Sequence, residues 1–318
     1  MWTPVAPPVT PAARSLAMSV LLGLAVGSAL LLGLHSGHTD RAGRAAMAMI
    51  LVALPSIPGP PRGAARTLLT RSVTVVVAAL AVAAVGGNEV VVAVGIVLAA
   101  ALGFTVPSVG TTAALAILMS GLRMQTVPTA LEAPGLWELI GALVVGAATV
   151  LTRLGQGAVH EEDLAERARE RSWTVRRTGS VAAAVLLALV TPLGVYGGHW
   201  LVTAVLLSVR PTPSATRVRL AQRLLGNTVA ALLVAVLMAS GAGPTALAYV
   251  VAALTGLSFA LRPVSYLWWA VAAPPVLLIL GDYPTAHDWY EGMVRVALNV
   301  IGAIIVLIVC SNPRAREH

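Results

Sequence analysis

Twelve apolar runs fill most of this chain, and no other feature narrows its choice of fold so far. They cover residues 15–34, 45–57, 72–86, 90–106, 108–122, 136–152, 179–195, 197–209, 224–240, 245–261, 264–280 and 294–311. A hydrocarbon layer about 30 Å thick takes roughly 20 apolar residues in a straight helix. Backbone inside it must satisfy its own hydrogen bonds, which suits helices. Composition agrees: 58% of the 318 residues are hydrophobic and 11% charged, with a mean hydropathy of +0.86, where soluble domains carry about a quarter charged. A soluble globular fold and a disordered chain are both excluded. The expected class is an all-α integral membrane protein with about 12 transmembrane helices. Three runs, 45–57, 108–122 and 197–209, are short or broken by glycine and reach only about 15–20 Å as helices. They are pore-lining candidates, because irregular backbone at membrane depth survives only beside protein or a water-filled cavity. The first run follows a proline-rich leader holding only Arg14 and reads as a span, not as a cleaved signal.

Arginines give the orientation. All 21 basic residues are arginine, the net charge is +8 and the pI is near 10.9. Most of them sit between apolar runs, so the anionic partner is the membrane surface and no nucleic acid is expected. With the amino terminus inside, the inner segments hold seventeen arginines and the outer ones four: Arg41, Arg44, Arg123 and Arg295. Positive loops stay cytoplasmic, so both termini are placed in the cytoplasm. Cys310 is the one cysteine, which rules out a disulfide framework or a cysteine-ligated metal site within the chain.

An internal echo appears at an offset of 152. Between Ala53 and Val85 ten positions repeat, and the Pro61/Pro213 and Arg71/Arg223 pairs both fall between a short run and a long one. Six runs per half is an even number, so the copies are parallel, as in some transporters. The expected organisation is a first six-helix half at 1–155, a charged cytoplasmic linker at 156–178 and a second six-helix half at 179–318. Within the linker, Glu162, Glu166 and Glu170 with Arg167 and Arg171 recur at the four-residue spacing of a solvated, ion-paired helix. A phosphate-binding loop needs a lysine that this chain lacks, so it does not drive itself with ATP.

The most specific segment is Gly197 to Asn227. His199 and Trp200 lead a short apolar helix, Pro211 and Pro213 mark a turn, Thr216 follows, and Gln222, Arg223 and Gly226 carry the end. It resembles the signature of the fusaric acid resistance protein-like (FUSC) family, except that Asn227 stands between Gly226 and Thr228 where the family most often has Gly-Thr. The first half keeps only Pro61, Arg66 and Arg71. The resemblance implies a transporter or channel of the cell (inner) membrane that exports or conducts small organic anions such as aromatic carboxylates, with no cofactor and no enzymatic activity.

Arginine binds carboxylates as a permanently charged fork. The substrate-binding candidates are Arg223, Arg71 and Arg210, joined by His199 and Trp200 at the head of the short helix. For Arg217 and Arg219, anchoring with snorkelling side chains is the better reading, and Trp200, Trp268 and Trp269 also suit the membrane interface. Asn299, Gln125 and Glu138 are the other polar groups able to line a path. The expected partners are a small organic anion, the bilayer and a second copy in a homodimer. Two alternatives stand beside this reading. One is an assembly subunit that moves nothing. The other is a metal-dependent membrane enzyme using His35, His38 and Asp40, a spacing unlike a helical ligand pair.

Overall fold

The computed structural model describes residues 11–54, 61–103, 106–126, 133–153, 164–191, 198–210, 212–284 and 290–311. Among them every regular element is a helix: α1 (Pro11–Ser36), α2 (Thr39–Ala53), α3 (Pro61–Ala84), α4 (Glu89–Leu102), α5 (Pro107–Thr126), α6 (Leu136–Arg153), α7 (Leu164–Val190), α8 (Gly198–Ser208), α9 (Pro213–Ala239), α10 (Pro244–Leu261), α11 (Tyr266–Asp282) and α12 (Glu291–Ser311). Each expected apolar run falls on one of them. Five begin on proline, whose fixed φ and missing N–H suit the first helical position. Turns α3–α4 and α9–α10 both pass through left-handed glycine, Gly87 at φ 69° and Gly241 at φ 70°, a region closed to most side chains.

Five helices contain stretches long and apolar enough to cross a membrane, at Leu16–Ser36, Gly63–Ala84, Pro213–Ala239, Pro244–Leu261 and Gly292–Cys310. Their outer faces are oily: Leu24, Leu32, Leu69, Val77, Leu232, Val236 and Ile308 are all exposed. In water such a belt would be a liability, and against lipid it is a solvent-matched surface. The opposite pattern marks the middle of the bundle. Among the described residues α2, α5 and α8 expose no large hydrophobic side chain, and α11 exposes only Trp268. Every residue of α2 from Ala42 to Ala53 is buried, and α8 buries nine of its eleven residues. Short helices apolar all round belong at a centre, wrapped by longer ones.

Packing follows one scheme twice. The pairs α1·α2, α2·α6, α3·α5, α3·α6 and α4·α5 each have a counterpart six helices later, in α7·α8, α8·α12, α9·α11, α9·α12 and α10·α11. Contacts cross between the halves in the same reciprocal way, α1 on α10 with α4 on α7, and α2 on α11 with α5 on α8. Small residues permit the first of these. A Cβ on Gly23 would lie 2.7 Å from the Ala252 carbonyl oxygen, and one on Gly27 would lie 2.6 Å from the Ala252 Cβ. Gly23 and Gly27 are one turn apart, so α1 presents a flat stripe on which α10 rests, the usual device for helix contact in lipid.

Three expectations are corrected here. The run read as a weak span at 108–122 belongs to a 20-residue helix, α5. The helix of the charged segment is continuous with the following span, since α7 runs unbroken through the boundary at 178/179. Its Arg177 is no linker residue: it is buried and donates to the Thr111 hydroxyl at 2.8 Å. Linker positions 156–163, Gly197 and Pro211 lie outside the described residues, as do the side chains of 164–174 and Gln125. Substituting Gly23→Val forces α1 off α10 and is expected to cost about 1–3 kcal/mol, read as a lower thermal midpoint of the purified protein in detergent.

Candidate functional site

The polar core is assembled by the amino-terminal half of α9. Thr212 caps this helix by accepting from Ala215 N–H at 3.2 Å, and the Thr216 hydroxyl accepts from Arg210 N–H at 3.0 Å, closing the turn after α8. A helix amino terminus is already electropositive, yet Arg217, Arg219 and Arg223 follow in its first three turns. Only Arg217 is exposed. Anchoring therefore survives for Arg217 and fails for Arg219, whose guanidinium lies against the face of Tyr266.

Arg223 was expected in an inner loop beside a span, and the helix contradicts that. It is the eleventh residue of α9, about 15 Å in from the helix start and 4% exposed. Its Nε donates to Asn299 Oδ1 at 3.2 Å and an Nη lies 3.5 Å from the Tyr266 hydroxyl. Asn227, the residue that interrupts the family pattern, donates to the same Asn299 oxygen at 2.8 Å. Asn299 in turn donates to the Arg295 carbonyl at 2.7 Å. Arg295, expected in an outer loop, is buried in α12. Its guanidinium carbon stands 3.6 Å from the Trp200 ring centre and its Nη1 donates to the Pro274 carbonyl at 2.8 Å. These residues form a ladder from the start of α9 towards the start of α8.

Trp200 is thus buried as a platform for a cation instead of anchoring at the interface, and His199 packs on it with ring centres 4.6 Å apart. Trp269 is corrected likewise: it is 6% exposed and stacks on Tyr266 at 5.2 Å, while Trp268 stays outside as expected. Gly226 explains why the motif holds a glycine. A Cβ there would fall 2.6 Å from the Ala270 Cβ and 2.9 Å from its carbonyl carbon, so α11 reaches α9 only over a bare backbone.

Further arginines complete the cluster. Arg262 caps the carboxyl end of α10, where a cation suits the helix dipole. Its pKa is lowered to about 10, first by burial and then by Arg210. Arg210 is itself pushed down by burial, with Tyr266 opposing. Both stay charged at neutral pH. The unfolded chain keeps its proton longer, so for Arg262 stability rises only as pH climbs past about 10. Arg71 is 2% exposed in α3, donates to the Val52 carbonyl at 3.4 Å and feels Arg262 as a like charge. Arg71, Arg210 and Arg223 therefore share one end of the bundle through Arg262 and Arg219, while His199 and Trp200 meet them through Arg295. Among the described residues no carboxylate pairs with Arg210, Arg219, Arg223, Arg262 or Arg295.

Beside Trp269 a small cavity of about 20 Å³ has an apolar lining drawn from both halves, including Leu51 and Met119 on one side and Leu207, Phe259 and Val276 on the other. Asp40 is held by Arg123 at 3.0 Å and Arg44 at 3.5 Å, and no group of three His, Cys, Asp or Glu is assembled among the described residues. Sequence reasoning missed Arg295, Arg262 and Asn227 as members of the site. A polar residue inside an apolar run is the signal that would have found Asn227 and Arg295, whereas Arg262 lies between two runs and carries no such mark.

Residues 181–309 match the family model described as fusaric acid resistance protein-like. The resemblance read from the motif is borne out over the second half, and with it the expectation of an integral membrane protein of transport or efflux. No curated protein and no solved structure matches the chain. Replacing Asn299 with leucine strands donors on Arg223 and Asn227, an expected loss of about 1–3 kcal/mol, measurable as a lower thermal midpoint that Asn299→Gln partly restores.

Proposed function

We propose that this protein carries small organic anions, aromatic carboxylates foremost, across the cell (inner) membrane. The observation that carries the reading is Arg223 and its neighbour Arg219, neither with a carboxylate partner among the described residues, lying beside the Tyr266–Trp269 stack and an apolar cavity. Ionisable groups within a membrane protein's spans are expensive and are retained for function. A carboxylate held by Arg223 and Arg219 would supply the missing countercharge, and an aromatic body would enter the apolar space next to Trp269. The fusaric acid resistance description of the second half fits an aromatic acid as cargo.

In this reading the two halves are parallel six-helix repeats with both termini cytoplasmic, supported by the duplicated helix pairings. The route runs within one chain, between α2, α5, α8 and α11. Pro274 and Pro275 lie halfway along α11, which stays helical through them, and each removes a backbone N–H from the helix ladder. At about 20 Å³ the cavity admits only water-sized occupants, so the arrangement is closed and cargo must part the central helices.

Benzoate flux from proteoliposomes tests the proposal. Wild type is expected to move benzoate, while Arg223→Ala and Asn299→Asp fall by about tenfold or more, the first by removing the cation and the second by occupying it with an internal carboxylate. Folded variants with unchanged flux would overturn the assignment of Arg223, and an inert wild type would point to an assembly subunit.

A further inference from the structure

A second charged enclosure lies at the opposite end of the bundle. Arg123, near the end of α5, donates to the Leu280 carbonyl near the end of α11 at 3.1 Å. Tyr266 begins α11, fourteen residues or about 20 Å away. The enclosure, about 40 Å³, is framed by α2, α3, α5 and α6, with Arg44, Arg123 and Glu138 in its wall and Val75, Ala79 and Met119 completing it. It shares Leu51 and Met119 with the apolar cavity beside Trp269, so these two side chains separate the two spaces.

The enclosure is built around its charges. Gly43 makes room for Arg123, since a Cβ there would collide with the guanidinium, and Asp40 holds both Arg123 and Arg44. Glu138 differs from Asp40. It is 8% exposed, its Oε2 has no hydrogen-bond partner, and it forms no ion pair with either arginine. Among the described residues the other charged and titratable groups around it are few. Helix α2 brings Asp40, Arg41 and Arg44, with Arg41 over the Trp137 ring, and α5 brings Arg123. Helix α3 contributes only apolar wall, its Arg71 lying by Val52 at the other end, and His35 and His38 near the α1–α2 turn are exposed.

The charges in the wall and the Asp40 that holds them sum to zero when Asp40 and Glu138 are both ionised against Arg44 and Arg123, Arg41 lying outside the wall over Trp137. A proton on Glu138 leaves one positive charge in excess. We propose that this enclosure is a second anion-binding station in which Glu138 is a built-in competing carboxylate, so that a monovalent carboxylate enters as Glu138 takes up a proton. Its volume suits a carboxylate head, with the body of the anion directed past Leu51 and Met119 towards the first site. The inference rests on the anion reading above and adds what that reading lacks, a reason for anion occupancy to depend on pH.

Benzoate binding to the purified protein, followed by calorimetry in buffers of different ionisation enthalpy across about pH 4 to 8, reads the linked protons directly. Wild type is expected to take up a fraction of a proton approaching one per benzoate at this station, and to bind on the order of tenfold more weakly at the alkaline end. Glu138→Gln should bind at all these pH values without proton uptake, and Arg223→Ala should lose the other site while keeping the linked one. Proton uptake unchanged in Glu138→Gln overturns the proposal and leaves the Arg223 site standing. Wild type that binds no benzoate at any pH defeats both readings. Should Glu138→Gln fail to fold, Ser120→Leu, which fills the enclosure from α5, must abolish the proton-linked component, and its persistence there refutes the station.

Discussion

Holding guanidinium groups away from water without countercharge is the demand around which this structure is organised. An ion moved from water into a low-dielectric interior costs several kcal/mol even after relaxation, and here Arg223 and Arg295 are each under 5% exposed. Among the described residues their partners are neutral: the Pro274 carbonyl, the Asn299 amide, the Tyr266 hydroxyl and the Trp200 ring. Carbonyls, amides and π faces each offset part of the cost, and none removes the net charge. The interior is therefore solvated for cations and, among the described residues, left without a carboxylate against Arg223 and Arg295.

Close packing makes that solvation possible. Gly226 lets α11 lie on α9 so that Tyr266 and Trp269 reach the arginines, and Gly43 lets Arg123 fold against α2. The polar ladder draws on four helices, α8, α9, α11 and α12, and the approach of α11 to α9 is a separation that one methyl group at Gly226 would spoil. Stripes of small residues thus serve chemistry as well as association.

Much of the architecture was legible in the sequence. Hydropathy alone located all twelve helices, and the Pro61/Pro213 and Arg71/Arg223 pairs fall at matching places, since α3 and α9 both start on the proline and carry the arginine as their eleventh residue. What failed was depth. Counting Arg223 as a loop charge assumed that a helix begins where hydropathy rises, whereas α9 starts eleven residues before the apolar run at 224. The same assumption made Arg219 a snorkelling anchor. Trp200 and Trp269 were read as interface residues because composition places tryptophan there, and nothing local announces that a buried arginine sits on one and an apolar cavity beside the other. Asn227 looked like a flaw in a motif and proved to be a rung of the ladder.

Helix lengths have an electrical consequence. The peripheral helices α3, α9 and α12 hold 24, 27 and 21 residues, while α8 at the centre holds eleven, about 16 Å. An ion that has reached one end of α8 faces roughly half the thickness that lipid presents at the rim. A transmembrane voltage does about 2.3 kcal/mol of work per charge per 100 mV whatever the path. Delivered over that shorter stretch, the same work corresponds to a field about twice as steep, acting where the bilayer's insulating layer is thinnest.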